Sequence, residues 1–246
     1  MKYSFIIPYY NRPSLYTTLM SFSHFYSSRS DYEILILEDK KTVNDLEQHA
    51  ILLEILQAHS SLPIVHMEMN YDNYSCPYST MNHGVDVAKG EFVFLTGPEI
   101  MHLVDVLKGL DEEFAKDKTT YINCSCFLNK VDDRLQSMEG HLPPTHPYSV
   151  KWYQHTECAN RMLNFSTCMS KENFISMNGF NENYDAGIGR GDVDFAKRAR
   201  LNGIEFICRD DLVTCHIAHT PSFTGKPLCS AAASVKTFKS RFEGRK

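Results

Sequence analysis

Two stretches near the start of the chain decide the fold: residues 3–12 read YSFIIPYYNR, and residues 33–40 read EILILEDK. Each begins with a short apolar run of strand length and ends in polar or turn-forming residues. Between them, residues 14–26 carry apolar side chains at helical spacing after Pro13. A buried strand, a helix and a second buried strand predict a βαβ unit with parallel strands.

The same alternation continues through the first hundred residues. Further helices are predicted at 43–58 and 78–88, and further strands at 62–67 and 91–95. This rhythm is typical of an α/β fold with a Rossmann-like, mainly parallel central sheet and helices on both faces. Ligands bind such sheets beyond the carboxyl ends of the strands, so the loops after the first, second and fourth strands are expected to carry function.

The second half of the chain is less regular. Its predicted elements are strands at 119–128, 165–169, 205–208 and 212–217, helices at 171–176 and 193–201, and a long functional loop at 136–160. We therefore expect one domain over residues 1–220, with a nucleotide-binding half at 1–100 and an acceptor and catalytic half at 101–220. Residues 221–246 are expected to form a basic tail.

Composition narrows the class of protein. The 246 residues are 43% hydrophobic and 22% charged, which is ordinary for a globular domain, and the net charge of −5 disfavours a general nucleic-acid partner. None of the eight cysteines forms a CxxC pair, which favours reduced, mostly buried thiols. No apolar run reaches the ~20 residues of a membrane helix. These observations predict a soluble, cytoplasmic protein.

The turn after the first strand has side chains suited to a nucleotide. Tyr9 and Tyr10 offer aromatic faces for a base, and Asn11 offers an amide for directional hydrogen bonds. Asp39 follows the second strand, where a carboxylate can accept hydrogen bonds from a base or ribose. A plain strand-to-helix turn, and a helix N-terminal acid at Asp39, are the structural alternatives.

Taken together, these stretches resemble the opening of the family 2 glycosyltransferases. Residues 80–91 match the next family pattern, A-R-N-x-G-x-x-x-A-x-G-E, and residues 178–195 match a third, G-F-D-E-x-F…G-x-G-x-E-D-x-D. The order and spacing hold over residues 3–219. The resemblance implies the GT-A fold, a nucleotide-diphosphate sugar as donor and a carbohydrate or other hydroxyl group as acceptor.

The resemblance also implies which residues bind the donor. Tyr9 and its neighbours fall where the family wraps the nucleobase, Asp39 aligns with the acid that reads the base imide, and Asn82 lies in the segment near the donor. The full donor-binding set is Pro8, Tyr9, Asn11, Arg12, Asp39, Asn82 and Gly84. A uridine donor is favoured, with thymidine and guanosine as alternatives.

The chain departs from the family at its metal motif. Where relatives commonly read L-D-x-D-D, residues 95–100 read LTGPEI, and Glu99 is the one carboxylate left. A second ligand is needed for a hard cation on the diphosphate. His216 aligns with a histidine that completes the site in similar enzymes, and His219 is the weaker candidate. The expected cofactor is Mn²⁺ or Mg²⁺, and an imidazole favours Mn²⁺.

The region 187–198 carries the predicted catalytic group. Its glycines, including Gly189 and Gly191, permit close approach of the backbone to a sugar. Asp192 matches the base of an inverting transfer, which takes the proton of the acceptor hydroxyl. Asp194 and Arg198 are four residues apart and can pair on a helix as supporting groups. The alternative is a charged helix start with a capping role.

The only tryptophan, Trp152, lies in the predicted loop and is either an aromatic platform for the acceptor sugar or a core anchor. Two other functions stay open. A sugar-nucleotide nucleotidyltransferase would need a glycine-rich, basic phosphate loop after the first strand, which this sequence lacks. The second is a non-catalytic nucleotide- or carbohydrate-binding module, suggested by the reduced metal motif.

Overall fold

The structure is a computed structural model that describes residues 1–70, 77–129, 144, 149–159, 163–185 and 190–219. Its first half alternates strands and helices as predicted. The elements are β1 (Tyr3–Tyr9), α1 (Leu15–Tyr26), β2 (Tyr32–Glu38), α2 (Lys40–Asn44), α3 (Leu46–Ala58), β3 (Ile64–Glu68), α4 (Tyr78–Val87) and β4 (Phe92–Thr96).

The second half contains more elements than the sequence pattern indicated. They are β5 (Ile100–His102), α5 (Val106–Phe114), β6 (Tyr121–Asn129), β7 (Lys151–Gln154), β8 (Ser166–Ser170), α6 (Lys171–Ser176), α7 (Gly191–Leu201) and β9 (Phe206–Ile217). A 3-10 turn at Glu182–Tyr184 precedes α7.

Three predictions for the second half are corrected. Strand β7 lies inside the segment predicted as loop, because its residues pair with β6. The two strands predicted at 205–208 and 212–217 are one strand, β9, whose pairing with β6 shifts register between Cys124 and Ser125. Strand β5 and helix α5 were not predicted, since a three-residue strand is too short to show a periodic pattern.

One sheet contains all the strands of the described residues. Its order is β3-β2-β1-β4-β8-β6-β9-β5, with β7 paired to β6 outside this path. The first four strands are parallel, and β6 and β9 are also parallel. Antiparallel pairs join β4 to β8, β8 to β6, and β9 to β5. The predicted α/β class with a Rossmann-like, mostly parallel sheet is confirmed.

Apolar side chains cover both faces of this sheet, which explains the nearly continuous apolar runs of its strands. On one face, Phe5, Ile7 and Tyr9 pack with α1, α3 and α5. On the other, Ile6 packs with α4, α6 and α7. Successive residues of a strand point to opposite faces, so β1 contributes to both cores.

The carboxyl ends of the parallel strands meet at one edge of the sheet, which we call the carboxyl edge. The backbone amide of Asp39 donates to the carbonyl of Tyr9 (2.8 Å) and joins the ends of β1 and β2. Strand β8 runs antiparallel to β4, with Ser166 opposite Thr96, so the residues preceding β8 reach the same edge. Sequence-distant residues of both halves therefore meet there.

The division into a domain at 1–220 and a basic tail stays a prediction, because residues 220–246 lie outside the described residues. Within the described part of the chain, no helix combines the length and apolar character needed to cross a membrane. The six cysteines of that part form no disulfide with one another, and Cys124, Cys126, Cys168 and Cys215 are buried.

Candidate functional site

Strands β5 and β9 bring the predicted metal ligands together. The pairing of Ile100 with His216, and a hydrogen bond from the amide of Ile217 to the carbonyl of Glu99 (2.9 Å), place Glu99 beside the end of β9. The Nε2 atom of His216 lies 3.6 Å from Oε1 of Glu99, and that of His219 lies 4.0 Å from the same oxygen. A ligand atom from each of these three residues lies within 4.8 Å of the others.

The surroundings of this trio suit cation ligands. Burial lowers the pKa of His216, with a smaller opposing effect of the Glu99 charge, so the imidazole is in its neutral, ligating form at neutral pH. Gly97 lies against the Glu99 carboxylate, and a Cβ at that position would come within 2.9 Å of Oε1. The glycine therefore makes room for the carboxylate to fold back over the turn.

Asp192 lies in the first turn of α7 and is half-buried. Its Oδ1 accepts a hydrogen bond from Nδ2 of Asn164 (2.8 Å). Desolvation raises the pKa of Asp192 to about 6, while the hydrogen bonds from Asn164 act in the opposite direction. A carboxylate tuned in this way is ionised at neutral pH and more basic than an ordinary aspartate.

A short path of contacts connects Asp192 with the trio. Asn164 holds Asp192, and the next residue, Phe165, packs edge-on against the His216 ring with centroids 5.9 Å apart. Tyr153 packs against both Phe165 (5.7 Å) and His216 (5.0 Å). The segment that holds the candidate base is thus in contact, through Phe165, with one of the candidate cation ligands.

Asn164 is a site residue that the sequence did not reveal. It is 4% exposed, and its Oδ1 accepts a hydrogen bond from the hydroxyl of Tyr121 while its amide nitrogen donates to Asp192. Nothing in the residues around position 164 distinguishes this asparagine from one in a turn, because its partners lie on β6 and α7. The Tyr121–Asn164–Asp192 relay fixes the orientation of the Asp192 carboxylate.

The predicted pairing of Asp194 with Arg198 is present. Nε of Arg198 donates to Oδ2 of Asp194 at 2.8 Å, and both side chains are buried. Nη1 of Arg198 also donates to the carbonyl of Met177 (2.6 Å), and the Tyr184 hydroxyl lies 3.5 Å from Asp194. The pair ties α7 to the preceding segment and therefore supports the position of Asp192 indirectly.

The turn after β1 contributes fewer side chains than predicted. Tyr9 is 1% exposed and lies in the core, so its predicted role as a stacking platform is wrong. Tyr9 points to the same face of the sheet as Ile7 and is covered there. Pro8 and Tyr10, its neighbours in the chain, are only half-buried. Asn11, with φ 43°, is exposed at the tip of the turn, and Arg12 is half-buried beside it.

Asp39 is a helix N-terminal acid, which was the structural alternative to a role in nucleotide binding. It is 3% exposed, and its Oδ1 accepts a hydrogen bond from the amide of Lys41 (2.8 Å), which caps α2. It nevertheless lies at the carboxyl edge, directly beside the end of β1. A carboxylate has several acceptor sites, so capping alone does not use up its hydrogen-bonding capacity.

Asn82 and Gly84 on α4 have packing roles. Asn82 accepts from the amide of Phe180 (2.8 Å) and donates to the carbonyl of the same residue (3.0 Å) and to Glu182 (2.9 Å). A Cβ on Gly84 would come within 2.6 Å of Leu37 and 2.7 Å of Ile6, so this glycine lets α4 approach the sheet. These contacts give both residues a packing role, and their contact with the donor stays a prediction.

Two residues considered for the acceptor side pack against other parts of the protein. Trp152 is 7% exposed and packs against Phe127, with ring centroids 5.6 Å apart, so it is a core anchor. Gly191 permits a close approach of Tyr78, since a Cβ at this position would lie 2.3 Å from that ring. The contact of its backbone with a sugar stays a prediction. Gly189 lies outside the described residues.

Comparison with known proteins gives one sequence match and many structural ones. Residues 157–220 match a family model described as the N-terminal domain of galactosyltransferase. None of the curated proteins compared with the chain matches it significantly. The matched segment includes Asn164, Asp192 and His216, the residues that connect the candidate base with the candidate cation ligands.

Three solved structures of two proteins illustrate the fold. TarS from S. aureus, residues 1–349 in complex with UDP, is 15% identical with a TM-score of 0.61, and the match covers 89% of this chain and 61% of TarS. The mannosyltransferase PcManGT from Pyrobaculum calidifontis, in complex with GDP-Man and Mn²⁺, is 12% identical with a TM-score of 0.63, covering 90% and 58%. A TarS complex with UDP-GlcNAc matches at 14% identity and a TM-score of 0.59, covering 93% and 60%. The chain thus spans less than two thirds of these proteins.

The shared fold is that of GT-A glycosyltransferases, as the sequence resemblance implied.

Proposed function

We propose that this protein is an inverting glycosyltransferase that moves a sugar from a nucleoside-diphosphate donor to an acceptor hydroxyl, with Asp192 as the general base. The observation that carries the proposal is the Asp192 carboxylate, which is held by Asn164 and connected through Phe165 to the Glu99–His216–His219 trio.

The chemistry of the base follows from its environment. An acceptor oxygen attacks the anomeric carbon, the bond from that carbon to the diphosphate oxygen breaks, and the hydroxyl proton passes to Asp192. A pKa near 6 leaves this carboxylate mostly ionised at pH 7, and its basicity exceeds that of an ordinary aspartate. General-base assistance of this kind typically contributes ~10²–10⁴ in rate.

The residues at the end of β9 fit a divalent cation. One carboxylate and two imidazoles form a mixed oxygen and nitrogen set that suits Mn²⁺, and a bound cation would supply Lewis-acid stabilisation of the leaving diphosphate. Glu99 and His216 would hold it, with His219 as a third ligand. The PcManGT complex contains Mn²⁺ in the same fold, which supports the proposal.

The donor is proposed to lie along the carboxyl edge, from the turn after β1 toward Glu99. Pro8, Tyr10, Asn11 and Arg12 are the side chains of that turn with surface available for a nucleotide. Asp39, beside them, is proposed to read the base, and we favour uridine. The relatives bind UDP, UDP-GlcNAc and GDP-Man, so their ligands support a sugar nucleotide without selecting one base.

The role of Asp192 as general base is tested by measuring the turnover and the donor affinity of the Asp192→Asn variant with a panel of sugar nucleotides. Turnover should fall by ~10²–10⁴, because the amide cannot take up the acceptor proton, while donor affinity should change little. Glu172→Gln is the matched control, since Glu172 is an exposed acid on α6. Full activity in Asp192→Asn would refute the assignment. A wild-type protein that binds donors without turning any over would instead support the non-catalytic binding module.

The cation site is tested by calorimetric titration with UDP in the presence and absence of Mn²⁺. Wild-type protein should bind UDP more tightly with Mn²⁺, and Glu99→Ala should remove this difference because the variant loses the only carboxylate of the trio. Glu172→Ala serves as the control. Equal affinities with and without Mn²⁺ in the wild type would contradict the proposed site.

A further inference from the structure

A second group of ligating side chains lies on the opposite side of β1 from β4. Glu38 ends β2, His66 and Glu68 lie on β3, and His49 lies on α3. Glu38 and Glu68 are partners in the parallel register, and His66 is two residues before Glu68 on the same face of the strand. In the sheet order, β1, β4, β8 and β6 lie between this group and His216 on β9.

Glu38 is the centre of this group and is fully buried. Nδ1 of His49 lies 2.9 Å from its Oε1 and 3.1 Å from its Oε2, and Nε2 of His66 lies 2.8 Å from Oε2. A buried carboxylate is costly unless it is paired or coordinates a cation. Both Glu38 oxygens are accordingly held by imidazole nitrogens.

The group is also accessible from solvent. The side chains of His49 and His66 are 22% and 21% exposed, and Glu68 is exposed. Ligand atoms of Glu38, His49 and Glu68 lie within 4.8 Å of one another. A small ion can therefore reach a buried carboxylate through a half-open rim that already contains an imidazole and a second carboxylate.

We propose that Glu38, His49 and Glu68 bind a divalent transition-metal cation of the zinc class, at a site distinct from the Glu99 trio. Two carboxylates balance the charge of such an ion, and one imidazole nitrogen with two oxygens is a ligand set that zinc accepts, with water in a remaining position. The cation would lie between Nδ1 of His49 and Glu38, and the neutral imidazole would carry its hydrogen on Nε2.

The distances fit this site with a small rearrangement. Zinc takes nitrogen and oxygen ligands at about 2.0–2.2 Å, so neighbouring ligand atoms of a tetrahedral site lie roughly 3.3 Å apart. The His49–Glu38 separation of 2.9 Å is already close to this spacing. The Glu68 carboxylate would have to move closer to the other two ligand atoms, and its exposed side chain is able to rotate.

His66 acts as a positioning residue for the proposed site. Its Nε2 holds Oε2 of Glu38 and leaves Oε1, the oxygen nearest to His49, for the cation. Hydrogen-bonded partners of this kind orient ligating carboxylates in metal sites. An ion here would join β2, β3 and α3 directly before Asp39, the residue that caps α2 at the carboxyl edge.

The test uses the full chain, freed of metal by a chelator, with Zn²⁺ and Co²⁺ as probes. Stoichiometry and affinity are measured by calorimetry, ligand geometry by the visible absorption of Co²⁺, and stability by thermal unfolding. We expect His49→Gln to lose one equivalent of Zn²⁺ relative to wild type, together with part of the Co²⁺ absorption. His24→Gln, an exposed histidine on α1, is the matched control and should keep the wild-type stoichiometry.

A second variant keeps the proposal testable if His49→Gln does not fold. Glu68→Gln changes an exposed ligand and should weaken Zn²⁺ binding at this site at least about tenfold while the apo-protein unfolds at the wild-type temperature. Glu99→Ala should still bind the equivalent of Zn²⁺ that His49→Gln loses. This result would distinguish the site at His49 from the proposed cation site at Glu99. Wild-type Zn²⁺ stoichiometry and affinity in both His49→Gln and Glu68→Gln would overturn the inference.

Discussion

At the scale of single residues, the environment of Asp192 decides what its carboxylate can do. Burial disfavours the charged form and raises the pKa to about 6, and the hydrogen bond from Asn164 limits the rise. The balance matters for catalysis, because a base must be ionised at the working pH and still bind the proton of the acceptor hydroxyl.

The pH profile of the reaction should report this balance. With a pKa near 6, kcat/KM of the wild type should rise with pH through a midpoint near pH 6 and level off above about pH 7, because only the ionised form acts as base. Asn164→Ala removes a hydrogen bond to the charged form, and the midpoint should move up by about one to two pH units.

The matched control for Asn164→Ala is Asn44→Ala, an exposed asparagine at the end of α2. It should leave the pH midpoint unchanged. A merely structural role of Asn164 would lower the activity by the same factor at every pH, so an unmoved midpoint in Asn164→Ala contradicts the relay.

At the scale of elements, the site depends on how closely helices approach the sheet. Helix α4 lies on the face formed by Ile6 and Leu37, and Gly84 is its point of closest approach. The same helix carries Asn82, whose three hydrogen bonds hold the segment around Phe180 that leads into α7. Displacing α4 would therefore displace the start of α7 and Asp192 with it.

Gly84→Ala tests this packing. The added Cβ would lie 2.6 Å from Leu37 and 2.7 Å from Ile6, so overpacking should lower the free energy of unfolding by about 1–3 kcal/mol, measured by urea denaturation. Asp86→Ala is the control, since Asp86 is exposed on the same helix and alanine favours helix there. A Gly84→Ala variant as stable as wild type would show that α4 is able to move away at no cost.

At the scale of the whole molecule, the burial of His102 in the core makes the free energy of unfolding depend on pH. His102 of β5 is fully buried beside Phe5, Phe22 and Phe94, and its Nδ1 is hydrogen-bonded to the hydroxyl of Tyr26. Desolvation lowers the pKa of His102 to about 3, so the imidazole is neutral in the folded protein at neutral pH.

Acid should therefore destabilise the fold through His102. Its pKa is near 6.5 in the unfolded chain and about 3 in the folded one, so between these values only the unfolded state binds the proton. Its contribution to stability is full above pH 6.5 and falls by about 1.4 kcal/mol for each pH unit below it, down to about pH 3.

The measurement is the free energy of unfolding of wild type and His102→Gln between pH 4 and 7. The glutamine is able to keep a hydrogen bond to Tyr26, and the variant should lose less stability on acidification than the wild type. His24→Gln, which replaces an exposed histidine, should follow the wild-type curve. Parallel curves for wild type and His102→Gln would contradict the contribution of His102.

The sequence by itself determined the alternation of strands and helices in the first half, and with it the edge at which function was expected. The resemblance to the family 2 glycosyltransferases also singled out Asp192, Glu99 and His216 as candidates. Apolar periodicity is a local property of the chain, so neighbouring residues were enough to predict it.

Only the tertiary structure decided which side chains reach the site. Tyr9 was expected to stack on a base, and Trp152 was open between a sugar platform and a core anchor, but helices or strands from elsewhere in the chain cover both. Only the structure identifies Asn164 as the partner of Asp192, because the hydrogen bond joins two segments that are 28 residues apart in the chain. Burial and hydrogen-bond partners depend on contacts between distant parts of the chain, and no local pattern specifies these contacts.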